Sequence, residues 1–408
     1  MMSLPDRQKH TKSEGKPAPR VALLCAGLGN INRGHEIFAR SLFELVGKDV
    51  DITLFKGAGA AGERERVIEN VPRDSPLLDD MVVAASPKWR GAVVEQERLR
   101  IEAETFAYAA IKPLMEGSYT VIHCLEQEVC NIIHGNRHLF PCKPRILFSN
   151  GGAIPAAKLP RCDFVQEHTE YNLQRSDRSK AFCIPHGVDT ARFRPGLDTD
   201  FRVRHGIPED AFLVLSVGTI CYWHKRMDHV IREVACLDNI HLAIVGQRSA
   251  DTDEIIRLGK ELLGDRIHFD TMDHSELPKA YAAANVFVLG SVFETFGIVY
   301  IEAMAAGLPV FCTDHPNQRA IVKEGIFVDM RKPGALADAL RQTDAPRLDE
   351  LSRRGVEIAA THYALPLLRE LYEDRYAMIA DTEPALPRPS AGARLGHRLA
   401  AVIQAIRG

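Results

Sequence analysis

Two Rossmann-like domains, each a doubly wound parallel α/β sheet, are what the 408-residue sequence predicts. Short β-branched apolar runs alternate with helical patterns, the rhythm of parallel sheets covered by helices on both faces. The series halts at a turn-rich segment near residue 190 and restarts, and the chain is long enough for two separate cores. The first domain, 19–190, opens with a strand at Val21-Ala-Leu-Leu-Cys25, a helix near 34–46 and a strand at Val50-Asp-Ile-Thr-Leu-Phe55. A long helix from about Val93 to Met115 follows, then strands at Tyr119-Thr-Val-Ile-His-Cys124 and Arg145-Ile-Leu-Phe148. Phe182-Cys-Ile-Pro-His-Gly-Val-Asp-Thr-Ala-Arg-Phe-Arg-Pro195, a strand and then turn residues, marks the boundary. The second domain, 191–360, restarts with Phe212-Leu-Val-Leu-Ser-Val217, His241-Leu-Ala-Ile-Val245 and Ile267-His-Phe269.

Composition narrows the function. A formal net charge of −3 gives no reason to expect nucleic acid or an acidic membrane as main partner. No run approaches the roughly 18 apolar residues needed to cross a bilayer. Residues 1–18 carry no apolar signal region and read as a disordered polar tail. The nine cysteines are scattered with no C-x-x-C pair, which suits buried thiols in a reducing cytoplasm rather than a metal site.

The most informative stretch is Ser291-Val-Phe-Glu-Thr-Phe-Gly-Ile-Val-Tyr-Ile-Glu-Ala-Met-Ala-Ala-Gly-Leu-Pro309. Asn285-Val-Phe-Val-Leu289 before it reads as a buried parallel strand, and Ile298 to Ala306 as a helix stopped by Gly307 and Pro309. Glu294 therefore falls in a loop at the carboxyl end of a strand, where open α/β sheets bind ligands. Glu302 lies further along the helix. The N–H groups near Phe296, Gly297 and Ile298 point at whatever occupies the crevice and favour an anion such as phosphate.

This stretch resembles the retaining glycosyltransferases of family 4, whose GT-B fold sets two Rossmann-like domains face to face. Glu294, Phe296, Gly297, Glu302, Ala303, Met304, Ala305, Gly307 and Pro309 match the family pattern E-x-F-G…E-A-M-A-x-G-x-P. Val217-Gly-Thr-Ile-Cys-Tyr-Trp-His-Lys-Arg-Met-Asp-His229 resembles the segment that holds the donor's diphosphate, and the 182–195 segment is similar to the end of the family's first domain.

The resemblance implies a hexosyl transfer from a nucleoside-diphosphate sugar to a hydroxyl acceptor with retention, giving an α-linkage. Glu294 is then the catalytic carboxylate, as nucleophile or as electrostatic stabiliser. His123, after the family's fourth strand, reaches the transferred sugar. Lys225 contacts the diphosphate beside Gly218. Thr219 stands where the family has an arginine, with Arg226 or a protonated His224 as substitutes. Glu302 accepts from the ribose hydroxyls. Gly246 and Met272 meet the nucleotide through main chain, while Gly29 and Asn30 form the first-domain lip.

No metal or other cofactor is implied beyond the sugar nucleotide, and Asp198-Thr-Asp200 and Asp251-Thr-Asp253 read as solvated loop acids. The helix over 361–380 crosses back to the first domain, and 381–408 is a Pro-rich linker with an amphipathic tail. The stripe within 392–407 faces either a membrane surface, the protein itself or a second subunit.

Two alternatives stand beside the transferase. A GT-B relative that is phosphorylase-like or only binds sugar nucleotides would follow from the missing arginine at Thr219. A nicotinamide-dependent oxidoreductase is disfavoured. In Gly27-Leu-Gly-Asn-Ile-Asn-Arg-Gly34 the third fingerprint glycine is replaced by Asn32, and no ribose-binding acid ends the next strand.

Overall fold

The computed structural model describes residues 18–31, 34–86 and 90–383. Residues 1–17 of the expected tail over 1–18, the expected amphipathic helix within 392–407 and Asn32 lie outside the described residues. Seven strands form the first sheet: β1 (Arg20–Cys25), β2 (Asp51–Lys56), β3 (Glu65–Val67), β4 (Val121–Cys124), β5 (Arg145–Ser149), β6 (Phe164–Glu167) and β7 (Ala181–Cys183). Six form the second: β8 (Phe212–Val217), β9 (Ile240–Val245), β10 (Ile267–Asp270), β11 (Val286–Val288), β12 (Val310–Thr313) and β13 (Ile326–Val328). The strand orders are β3-β2-β1-β4-β5-β6-β7 and β10-β9-β8-β11-β12-β13. Every pairing is parallel. Each order reverses once, between β1 and β4 and between β8 and β11, and such reversals open the crevices that bind ligands.

Apolar residues cover both faces of each sheet. One face of the first sheet packs Phe38, Leu42 and Phe43 of the helix Gly34–Val46; the other packs Phe106, Ala107 and Ala110 of the long helix Arg90–Glu116. The helix Leu365–Asp381 leaves the second domain and buries Leu368, Tyr372, Tyr376 and Ile379 against the first. Its entry runs beside the outward crossing: the Val188 N–H donates to the Tyr363 carbonyl at 2.8 Å, and Leu365 N–H to Val188 at 3.2 Å. Both interdomain strands of chain are thus tied together. Among the described residues no helix is long and apolar enough to cross a membrane.

The helix Ile298–Ala305 ends as its residues require. Gly307 adopts a left-handed φ of 82°, its N–H donates to Met304 at 3.0 Å, and Leu308 N–H donates to Ala303 at 2.9 Å. This paired closure satisfies the last free carbonyls.

Candidate functional site

The loop after β8 and the loop after β11 meet at the second sheet's reversal. A side chain on Gly246 would sit 1.8 Å from the Gly218 carbonyl oxygen, so the β8 and β9 ends approach through glycine. A Cβ at Gly218, whose φ is 149°, would lie 3.0 Å from Lys225 Cε. The Lys225 stem crosses this glycine and carries its ammonium 2.6 Å from Glu294 Oε1. Ser291 Oγ donates to the same oxygen at 2.7 Å, and His224 Nε2 stands 3.6 Å from it. Glu294 is 4% exposed. Its backbone is held as firmly as its carboxylate, since Asn317 Nδ2 and Gln318 Nε2 donate to its carbonyl at 2.8 and 2.7 Å.

Gly297 caps the following helix with a left-handed φ of 78°, and a Cβ there would strike the Tyr300 ring. Phe296 is buried. Ile298 begins the helix, so its N–H is among the four without an intrahelical acceptor. Glu302, one helical face on, is also buried; Oε1 lies 2.9 Å from His274 Nε2 and Oε2 accepts from the Tyr281 hydroxyl at 2.8 Å. Burial and the adjacent carboxylate push the Tyr281 phenol up, which keeps it a donor. Met272 is half-buried against the second-domain core, just after Thr271, whose hydroxyl donates to the Gly246 carbonyl at 3.0 Å. A cavity of about 240 Å³ opens beside Glu302, bounded by Phe38 and Leu42 from the first domain and by His186, His274 and Ile298.

Lys225, Gly218, Glu294 and the helix start therefore converge. Thr219 is exposed on the same loop. Arg226, expected beside Lys225, turns away instead: it caps the helix Met227–Ala235 with a left-handed φ of 50° and spends its guanidinium on the Gly290 and Met330 carbonyls. His123, expected to reach the sugar, does not stand in this cradle either. It is the third residue of β4, fully buried, with Nδ1 2.9 Å from the Tyr376 hydroxyl. Burial, with the charge of His168, lowers its pKa to about 3. Its partner lies 253 positions away, and nothing local announces it. Gly29 has a left-handed φ of 96°, and a Cβ there would also meet the Ala58 carbonyl at 2.2 Å; Asn30 follows in the same turn, its N–H donating to the Gly27 carbonyl at 3.1 Å. In the D-x-D stretches Asp200 pairs with Arg204 at 3.2 Å and Asp253 with Arg248, while Asp251 accepts from Tyr222 N–H at 3.1 Å.

Sequence reasoning missed the pair that joins the domains. His168 and His186 stack with centroids 4.0 Å apart and planes 10° from parallel. Phe38 meets both edge-on from the first domain, and Phe296 meets His186 at 4.8 Å from the second. Burial depresses both imidazoles, His168 to about 3. The unfolded chain titrates near 6.5 and the folded chain far lower, so the unfolded state binds more protons below 6.5. Stability is accordingly full above that pH and declines as pH falls, by about 1.4 kcal/mol per pH unit per histidine. His186→Phe keeps an aromatic ring and cannot titrate. Its melting temperature is expected to gain on wild type between pH 7 and pH 5; a constant gap would contradict the argument.

Residues 198–354 match the model of the family described as glycosyl transferases group 1. A D-inositol 3-phosphate glycosyltransferase of Mycolicibacterium smegmatis is 30% identical over 243 residues, 57% of this chain and 56% of the relative. The protein of that name from Mycobacterium tuberculosis (strain F11) is 32% identical over 203 residues, 47% of this chain and 42% of its own. The chain spans about half the length of the curated relatives it matches. Sucrose-phosphate synthase from Thermosynechococcus elongatus superposes with a TM-score of 0.72 at 22% identity, covering 88% of this chain and 99% of that one. Anabaena HepE in complex with UDP and glucose superposes at 0.68 and 14% identity, covering 88% and 100%. The group 1 match thus falls on the second of the two parallel-sheet domains, and the chain as a whole has the GT-B fold.

Proposed function

We propose that the protein is a retaining glycosyltransferase that moves a hexosyl group from a nucleoside-diphosphate sugar to a hydroxyl acceptor, forming an α-glycosidic bond. The observation that carries this reading is the buried Glu294 carboxylate held against Lys225 at the sheet reversal, beside a helix N-terminus. The donor's diphosphate takes the Lys225 ammonium and the N–H groups at Gly297 and Ile298, which offset charge as the bond from the anomeric carbon to the diphosphate oxygen breaks. Glu294, relieved of its cation, faces the oxocarbenium-like sugar. The acceptor oxygen bonds to the anomeric carbon on the face the diphosphate leaves, and its proton passes to the departing phosphate oxygen. Glu302, with His274, holds the ribose diol. No metal enters this scheme.

The cytoplasm is the compartment we assign, and all nine cysteines are free thiols. Incubation with UDP-, GDP- and ADP-sugars and an acceptor panel beginning with D-inositol 3-phosphate, the compound in the curated relatives' name, tests the reading. Release of nucleoside diphosphate is expected. Sugar 1-phosphate formed from a glycan and inorganic phosphate, in a parallel incubation, would indicate a phosphorylase, and binding without product a non-catalytic relative, the readings that Thr219 keeps in play.

A further inference from the structure

The Lys225–Glu294 pair is internally neutral, yet an arriving diphosphate brings at least two negative charges to it. One neighbouring group can supply a second cation. His224 Nε2 stands 3.6 Å from Glu294 Oε1, the oxygen that Lys225 reaches at 2.6 Å. Its ring lies against the Trp223 indole with centroids 5.2 Å apart and planes 28° from parallel. Trp223 is 82% exposed, so the stack stands at the loop surface, and an indole face favours the charged imidazole over the neutral one. The titratable groups facing His224 are Glu294 from the loop after β11 and Lys225 from its own loop. Before any ligand binds, burial outweighs Glu294, and with Lys225 it holds the imidazole below its ordinary pKa. The ring therefore enters neutral near pH 7 and has room to gain a proton.

We propose that His224 takes up a proton when a nucleoside diphosphate occupies the loop after β8, and binds its phosphate as an imidazolium beside Lys225. The inference rests on the reading that this loop holds the donor's diphosphate. The proton comes from the solvent, and no covalent bond to the ligand is made or broken. Lys225 moves from Glu294 to the phosphate, and the imidazolium restores the charge balance that the carboxylate alone would upset. Donor binding then weakens as pH rises, because the proton becomes costlier to acquire.

Calorimetric titration of UDP, GDP and ADP into the full chain at pH 7.5, in buffers of different ionisation enthalpy, counts the protons taken up. With the nucleotide that binds, wild type is expected to take up close to one proton beyond His224→Asn, and correspondingly to bind up to about ten-fold more weakly at pH 8.5 than at 7.5. Comparing wild type with variant cancels the ligand's own titration. His224→Lys, with a permanent cation, is expected to keep its affinity at pH 8.5 without the uptake. Melting curves at pH 7.5 establish that both variants fold. Equal uptake and equal affinity in wild type and His224→Asn would overturn the assignment and leave the donor reading standing. Failure of all three nucleotides to bind wild type would instead remove the donor reading, and this inference with it.

Discussion

Replacing Glu294 with glutamine is expected to cut turnover about 10²–10³-fold while the protein stays folded and binds nucleoside diphosphate at least as tightly. The substitution keeps the shape of the side chain and one acceptor oxygen for Lys225 and Ser291. It removes the negative charge that would face the sugar cation. The loop stays in place because Asn317 and Gln318 hold its backbone carbonyl, which the change does not touch. A charge-assisted hydrogen bond becomes a neutral-acceptor one, at a cost of about 1–3 kcal/mol in stability. With a carboxylate no longer beside the phosphates, repulsion falls and binding holds or tightens. Opposite signs in turnover and affinity separate a catalytic role from a structural one. Steady-state kinetics and calorimetry read both; undiminished turnover would contradict the assignment.

The second large effect belongs to Lys225→Ala. Among the described residues this side chain is the cation closest to Glu294, and a charge-assisted hydrogen bond contributes about 1.5–3 kcal/mol, or ten-fold to more than a hundred-fold in affinity. The loss is expected in diphosphate binding first. Turnover follows, because the leaving group loses the counter-charge that Lys225 brings to it from Glu294. The stem also fills the space over Gly218, so a shortened side chain loosens the loop. UDP, GDP or ADP bound as tightly by the variant as by wild type would refute the role.

Much of this was legible in the chain, for physical reasons that differ between residues. The places of Glu294 on a loop and Glu302 on a helix were readable because a strand, a glycine turn and a Gly-Pro stop bracket them between Asn285 and Pro309. The alternation of apolar strands and helices gave the α/β architecture, since strands buried on both faces read as continuous apolar runs. Short strands escaped notice: β3 and β13 have three residues each, and β6 ends in buried Gln166 and Glu167, which interrupt an apolar run. The direction of Arg226 was not readable because spacing along a loop does not tell direction. Its left-handed backbone turns the guanidinium toward Gly290 and Met330 and away from the neighbouring ammonium. The burial of His123 beside Tyr376 was not readable because the returning helix brings that partner, and the His168–His186 stack was invisible because Phe38 and Phe296 arrive from different domains.

The reaction's stereochemistry tests the account most directly. An anomerically pure α-linked sugar nucleotide, offered with an accepted hydroxyl compound, is followed by NMR from the first turnovers in wild type and in Glu294→Gln. An α-linked product, formed in step with nucleoside diphosphate and nearly abolished in the variant, is the predicted result. A β-linked product, or an equal rate with Glu294→Gln, would contradict it.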